Sequence, residues 1–194
     1  MDEAVLRSSA LRPSVTHDAV IYDLDGTLVR LAVDWDAVAT DVASVLRERD
    51  VDPAGRGLWD MLHLSDETGH RDAVEAAITD YERDGARTSE ALPLAEGLPH
   101  GVPVGVCSLN AEVACRLALS VHDIDDYVGP VVGRDSVGSS KPDPEGLLVV
   151  ADEMGVDPAD AVFVGDSESD RTAARRADMH FAWASEFDQR RYRA

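Results

Sequence analysis

Short apolar runs alternate with segments of helical periodicity along most of this chain. The apolar runs predict strands at residues 18–23, 102–107, 127–133, 161–164 and 179–184. Between them, apolar residues at helical spacing predict helices at residues 111–120, 145–154 and 167–177. Strands that alternate with helices are typical of a parallel sheet with helices on both faces. The pattern therefore predicts an α/β protein with a doubly wound parallel sheet.

A long helical block interrupts this alternation after the first strand. Its apolar positions recur at helical spacing and predict three helices, at about residues 34–49, 58–62 and 74–81. Asp34 is a good N-cap residue for the first of them. No strand is predicted between residues 31 and 96. We therefore expect residues 31–96 to form an inserted helical subdomain, and residues 1–30 and 97–194 to form the α/β core.

The charge of the chain narrows its range of partners. The sequence has 38 acidic and 18 basic residues, which gives a net charge of −20. Such a surface repels nucleic-acid phosphates and anionic membranes, so we expect neither as a partner. Lys141 is the only lysine. An acidic, lysine-poor composition resembles that of halophilic proteins, whose excess negative charge is screened by salt.

The cysteines and the lengths of the apolar runs indicate the cellular compartment in which we expect the protein. Cys107 and Cys115 show no metal-ligand spacing, and we expect both to be small apolar fillers in a reducing environment. No apolar run is long enough to cross a bilayer, and the acidic start Met1-Asp2-Glu3 differs from the basic start of a signal peptide. We expect a cytoplasmic protein in which residues 1–17 form a loosely held extension.

Two carboxylates follow the first predicted strand, in the segment Asp23-Leu24-Asp25-Gly26-Thr27. In open α/β sheets, ligands bind at the carboxyl ends of the strands, so this is a favourable place for chemistry. Burying two neighbouring carboxylates is costly unless a cation or a proton balances the charge. The competing interpretation is an ordinary surface turn, because Asp-Gly is a common turn signal.

Three more polar segments fall at the same predicted edge of the sheet. Ser108 follows the strand at 102–107, Lys141 lies in a loop that opens a helix, and Asp166 and Asp170 follow the strand at 161–164. Taken singly, these residues are explained by helix capping, by chance retention of one lysine, and by the helix dipole. Taken together, they offer several oxygen ligands without His or Cys, which favours Mg²⁺. A helix N-terminus and a lysine would also suit a phosphoryl group.

These segments resemble, in order, the motifs of the haloacid dehalogenase (HAD) superfamily, in its phosphatase branch. They are DLDGT at 23–27, the Ser108 segment, KPDP at 141–144 and GDSESD at 165–170. The helical block at 31–96 occupies the position of that superfamily's cap but carries no matching motif. The resemblance implies a Rossmann-like core with an inserted α-helical cap, similar to phosphoglycolate phosphatases. It also implies a Mg²⁺-dependent phosphatase that hydrolyses a small phosphate ester.

The resemblance further implies a role for each residue. Asp23 would attack phosphorus and become an aspartyl phosphate. Asp25 would protonate the leaving alkoxide and then deprotonate the hydrolytic water. The phosphoryl group would be held by Thr27, Ser108 and Lys141. The Mg²⁺ ion would be bound by Asp23, the main-chain carbonyl of Asp25, and Asp166, with Asp170 in or next to that shell.

One departure from the family pattern and two alternatives remain open. Leu109 stands where the superfamily commonly has a polar Asn, which leaves the part of Asn110 undecided. A phosphomutase of the same scaffold would use the same aspartate pair, and a non-enzymatic receiver domain would also cluster Asp, Ser and Lys. Side chains of the helical block are candidate contacts to the leaving group, although the default interpretation of each is structural or solvent-facing. They are Trp35, Arg56, Trp59, His63 and Arg71.

Overall fold

The computed structural model describes residues 17–192 and contains seven strands and six α-helices within that range. The strands are β1 (Ala19–Tyr22), β2 (Val29–Arg30), β3 (Glu90–Ala91), β4 (Val104–Cys107), β5 (Val131–Val132), β6 (Ala161–Gly165) and β7 (His180–Trp183). The helices are α1 (Trp35–Arg47), α2 (Leu58–Thr68), α3 (Arg71–Arg87), α4 (Glu112–Val121), α5 (Glu145–Met154) and α6 (Glu168–Arg176).

Five of the strands form one parallel sheet in the order β5-β4-β1-β6-β7. Tyr22 at the end of β1 lies opposite Val106 on one side and Val164 on the other. The carboxyl ends of β4, β1 and β6 are therefore level with one another. The strand order reverses at β1, which is where ligands bind in doubly wound sheets. The predicted α/β fold with a parallel sheet is confirmed.

Both faces of the sheet are covered by helices. Val20 and Tyr22 point into an apolar cluster that includes residues of α4, whereas Ala19 and Ile21 point into a second cluster with residues of α5 and α6. This alternation follows from the two-residue period of a strand. All four residues of β1 are buried, as expected for a central parallel strand. The two cysteines, Cys107 and Cys115, are buried and free.

The helices α1, α2 and α3 pack around an apolar cluster of their own. Its buried residues are Val38, Val42, Leu46, Met61, Leu62, Val74 and Ile78. Asp34 caps α1 by accepting hydrogen bonds from the main-chain N–H groups of Asp36 and Ala37, each at 3.1 Å. The structure therefore has the three helices that were predicted after the first strand.

The expectation of no strand between residues 31 and 96 is wrong at one end of the segment. Glu90–Ala91 pairs antiparallel with Val29–Arg30 and forms a separate two-stranded sheet. Each strand has only two residues, which is too short to show any periodicity in the sequence. The predicted strands at 102–107 and 127–133 are also shorter in the structure. Pro103 has no N–H to donate to a ladder, and β4 begins after it.

The two ends of the described range, His17 and Tyr192, contact each other. The predicted N-terminal extension lies outside the described residues except for His17, whose Nδ1 is 2.5 Å from the hydroxyl oxygen of Tyr192. Among residues 17–192, no helix has the length and apolar character that crossing a membrane requires.

Candidate active site

Asp23 lies directly beyond β1, where the strand order of the sheet reverses. Its main-chain N–H donates to the carbonyl of Val164 at 2.9 Å, which continues the sheet by one residue and fixes the backbone of Asp23. The chain then turns at Gly26, whose φ is +85°. A Cβ at that position would overlap the carboxylate of Asp166. The turn therefore requires glycine both for its conformation and for the approach of Asp166.

Lys141 is the central cation of the site. Its Nζ donates to Asp23 Oδ1 at 2.8 Å, to Asp170 Oδ1 at 2.5 Å and to the carbonyl of Cys107 at 3.2 Å. The side chains of Lys141, Asp23 and Asp170 are only 4%, 8% and 1% exposed. All three donors of the ammonium group are used. The only lysine of the chain is thus buried between two of the predicted site carboxylates.

Burial and charge determine the protonation of these groups. Burial raises the pKa of Asp23 to about 6, with a contribution from the negative charge of Asp170, and Lys141 only partly opposes the rise. Burial alone would lower the pKa of Lys141, but the charges of Asp23 and Asp170 outweigh it, so that pKa is raised. The lysine stays protonated. Two carboxylates against one ammonium leave the cluster with a surplus of negative charge when both are ionised.

Three carboxylates of the site could hold a cation. Oxygen atoms of Asp23, Asp166 and Asp170 all lie within 4.8 Å of one another. Asp170 Oδ2 accepts hydrogen bonds from the N–H and the hydroxyl of Ser167, at 3.0 and 2.6 Å, so the orientation of this carboxylate is fixed. Oxygen-only donors without His or Cys fit a hard ion such as Mg²⁺. These three carboxylates are three of the four aspartates predicted from the sequence as site residues.

Asp25 occupies a different environment from Asp23. It is half-buried, and its Oδ1 accepts a hydrogen bond from the main-chain N–H of Leu31 at 2.8 Å. Burial raises the pKa of Asp25; the hydrogen bond from Leu31 opposes this, and the charges of Asp166 and Glu82 add to it. A carboxyl group with a raised pKa, next to the predicted nucleophile, is suited to carry a proton.

The residues predicted to bind phosphate are only partly brought together. Ser108 follows β4 beside the carbonyl that receives Lys141, and its hydroxyl donates to Asn110 Oδ1 at 3.0 Å. Thr27 is buried, and its hydroxyl has no hydrogen-bond partner among residues 17–192. It lines a cavity of about 500 Å³ together with Gly26 and Asp166. The structure therefore places Ser108 near Lys141, whereas Thr27 shares a cavity with Asp166.

A second buried ion cluster, which the sequence interpretation missed, joins α3 to the core. Arg134 donates to Glu82 Oε1 at 2.9 Å and to Glu75 Oε2 at 2.7 Å. Glu82 is fully buried and also accepts from the side-chain amide of Asn110 at 3.1 Å. Asn110 is therefore linked both to Ser108 and to α3. One signal was available: Val74, Ile78 and Glu82 follow one another at intervals of four, which places Glu82 on the apolar face of its helix.

A cavity of about 540 Å³ lies between α2 and the loop that carries Lys141. Trp59, His63 and Arg71 line it, so three of the five candidate contacts in the helical block face this space. The other two do not line it. The ring centroid of Trp35 lies 6.3 Å from that of Trp59, and Arg56 donates to the carbonyl of Asp52 at 3.1 Å.

Comparison with known proteins points to one family. The model of the haloacid dehalogenase-like hydrolase family matches residues 91–184. A Rhodospirillum rubrum protein named phosphoglycolate phosphatase is 31% identical over 188 residues, a match that covers 83% of this chain and 76% of that protein. A Nitrosospira multiformis protein of the same name is 30% identical over 182 residues, with 84% and 80% covered.

A solved structure shows the same relationship. The HAD-superfamily hydrolase from Geobacter sulfurreducens, of subfamily IA, variant 1, superposes with a TM-score of 0.59 at 27% identity. The superposition covers 86% of this chain and 88% of that one. With its parallel sheet, its aspartates at the strand ends and these relatives, the chain belongs to the haloacid dehalogenase-like hydrolase family.

Proposed function

We propose that this protein is a Mg²⁺-dependent phosphatase that hydrolyses small phosphate monoesters through an aspartyl phosphate. The observation that carries the proposal is Asp23, held by the buried ammonium of Lys141 at the carboxyl end of β1 and within reach of two further carboxylates. The relatives named phosphoglycolate phosphatase support the reaction class. Residues 1–30 and 97–194 would form the catalytic core and residues 31–96 the cap.

The reaction would proceed in two displacements at phosphorus. In the first, an Asp23 oxygen forms a bond to phosphorus while the bond from phosphorus to the alcohol oxygen breaks, and Asp25 gives its proton to that oxygen. In the second, a water molecule attacks phosphorus, Asp25 takes a proton from the water, and the bond to Asp23 breaks. The products are the alcohol and inorganic phosphate, and both aspartates return to their starting forms. Dividing a slow hydrolysis into two steps lowers each barrier.

Positive charge must offset the charge of the phosphoryl oxygens. Lys141 supplies one such charge, and its protonation is secured by its raised pKa. Asp23, Asp166 and Asp170 would hold Mg²⁺, and the ion would supply further charge neutralisation of the phosphoryl oxygens. Ser108 would assist from the end of β4, with its orientation set by Asn110.

Two alternatives make different predictions. A phosphomutase would convert an added sugar phosphate to an isomer, and a receiver domain would take up one phosphoryl group per chain without turning over. We expect many turnovers of p-nitrophenyl phosphate with Mg²⁺, loss of turnover with EDTA, and recovery when Mg²⁺ is restored. The acid-quenched protein should carry an acyl phosphate that hydroxylamine releases, and Asp23→Asn should carry none.

The outcomes separate the alternatives. One stoichiometric labelling without turnover would favour the receiver domain, and isomerised sugar phosphate without release of inorganic phosphate would favour the mutase. Turnover that is unaffected by EDTA would contradict the Mg²⁺ assignment. Turnover without an acid-stable acyl phosphate, even in rapid-quench samples, would contradict the covalent step.

A further inference from the structure

The cavity beside Lys141 is placed to receive the alcohol part of the substrate. It opens from the loop that carries the lysine, and its volume of about 540 Å³ is within the usual range of small-molecule sites. Its walls include apolar side chains from both sides, among them Trp59 and Leu62 from α2 and Leu109 and Pro142 from the core. Trp59 is 41% exposed, which is unusual for a residue of its size.

The arginines of this cavity are already paired. Among the described residues that line it, the arginines are Arg71 and Arg134. Arg71 bonds to Asp66 at 2.6 Å and to Glu75 at 2.8 Å, while Arg134 bonds to Glu75 and to Glu82. Three carboxylates thus surround two guanidinium groups. The five groups together carry one surplus negative charge when all are ionised, and of the three carboxylates it is Asp66 that lines the cavity.

Lys141 does not supply the missing positive charge. Its ammonium is bonded to Asp23 and Asp170, and in the proposed reaction it serves the phosphoryl group. His63 also lines the cavity, but it is not an arginine and offers no bidentate guanidinium to a carboxylate. A carboxylate on the alcohol part would therefore meet the carboxylate of Asp66 and no free arginine. Like charges brought together in such a site are strongly unfavourable.

We propose that the preferred substrate is a phosphate monoester whose alcohol part is uncharged, and that an ester with a carboxylate beside the phosphate is a poor substrate. The inference rests on the proposed function, because the cavity receives the alcohol only if Asp23 is the nucleophile. It separates this chain from what the names of its relatives would suggest.

The first experiment compares esters that differ in one charge. The pairs are 2-phosphoglycolate with 2-hydroxyethyl phosphate, and 4-carboxyphenyl phosphate with phenyl phosphate, assayed with Mg²⁺ at pH 7.5. We expect kcat/KM to favour the uncharged member of each pair by roughly tenfold. The preference should persist in about 1 M KCl, where repulsion by the net charge of the whole protein is screened.

The second experiment changes the charge of the cavity wall. Asp66→Asn removes the negative charge that is paired with Arg71. The substitution should shift both kcat/KM ratios towards the carboxylate ester by roughly threefold or more. Asp84→Asn is the matched control, because Asp84 is a 79% exposed partner of Arg87 on α3, and the substitution makes the same change in net charge. The control should leave both ratios unchanged.

Each result is decisive. Equal or better hydrolysis of the carboxylate esters would overturn the inference while leaving the phosphatase assignment intact. An equal shift in Asp66→Asn and Asp84→Asn would show that net charge, and not the cavity, sets the preference. Failure to hydrolyse p-nitrophenyl phosphate under any condition would instead overturn the proposed function on which the inference rests.

Discussion

Two buried cations hold distant parts of this molecule together, and each lies between two carboxylates. Lys141 lies between Asp23 and Asp170, at the ends of the central strands. Arg134 lies between Glu75 and Glu82, where α3 meets the core. In both clusters the cation is no more than 4% exposed. The two clusters therefore differ in geometry and chemistry more than in burial.

The cluster of Arg134, Glu75 and Glu82 is closed. The cluster of Lys141, Asp23 and Asp170 is open, in the sense that its partners can be exchanged. The guanidinium of Arg134 donates hydrogen bonds to both glutamates and to the carbonyl oxygen of Leu109, as expected of a permanent structural contact. Burial raises the pKa of Asp23 to about 6 even though the lysine is present, so its charge is poorly compensated. Charge that is poorly compensated in the free protein remains available for a metal ion or a phosphoryl group. Burial alone therefore does not distinguish a structural ion cluster from the proposed catalytic one.

The largest effect should come from removing the proposed nucleophile. Asp23→Asn should lower kcat on p-nitrophenyl phosphate by roughly 10⁴-fold or more, because the amide cannot form the covalent intermediate. The free energy of unfolding in EDTA should not fall, since Lys141 keeps Asp170 as its partner. Urea titrations and steady-state kinetics check the two statements. Full activity, with deamidation excluded by mass spectrometry, would contradict the assignment.

Exchanging the type of cation tests the open cluster next. Lys141→Arg keeps the charge but replaces a compact ammonium by a planar group that fits the two aspartates differently. We expect kcat/KM to fall by roughly 10²- to 10³-fold, as when a group that stabilises transition-state charge is misplaced. Stability should change much less. Activity near the wild-type value would mean that only the charge at this position matters.

The reverse exchange tests the closed cluster. Arg134→Lys leaves Glu75 and Glu82 with one small partner, and we expect the free energy of unfolding to fall by about 3 kcal/mol. The value of kcat/KM should fall less than about tenfold, through the hydrogen bonds that connect Glu82 to Ser108. Arg87→Lys, at an exposed pair on α3, the helix that carries Glu75 and Glu82, is the control and should cost less than about 1 kcal/mol. A larger loss of activity than in Lys141→Arg would reverse the comparison.

The smallest expected effect is the pH dependence of stability without metal. The pKa of Asp23 is raised from 3.8 to about 6, so between these values the folded state keeps a proton that the unfolded state has released. The contribution of Asp23 to stability is complete below pH 3.8 and is lost as pH rises through 6. We subtract the free energy of unfolding of Asp23→Asn from that of the wild type. This difference should decrease between pH 3.8 and 6 by on the order of 1 kcal/mol. Urea unfolding in EDTA at several pH values measures it, and an increase would contradict the pKa shift.

The sequence predicted the open cluster better than the closed one, for a physical reason. Asp23, Asp166 and Ser108 each follow an apolar run, so their common position at the sheet edge follows from the strand pattern. Arg134 and Glu82 are 52 residues apart, and no local pattern indicates that they pair. Short elements were missed for a related reason. The strands β2 and β3 are held by their partners in the fold and have no periodicity of their own.

Lys141 also gives the protein a chemical reporter at its proposed active centre. Because it is the only lysine, reagents that acylate side-chain amines have a single target in the chain. That target is 4% exposed and its raised pKa keeps it protonated, so acylation requires both opening of the site and release of the proton. The rate of acylation at Lys141, followed by mass spectrometry, would thus report how often the site opens, without any engineered label.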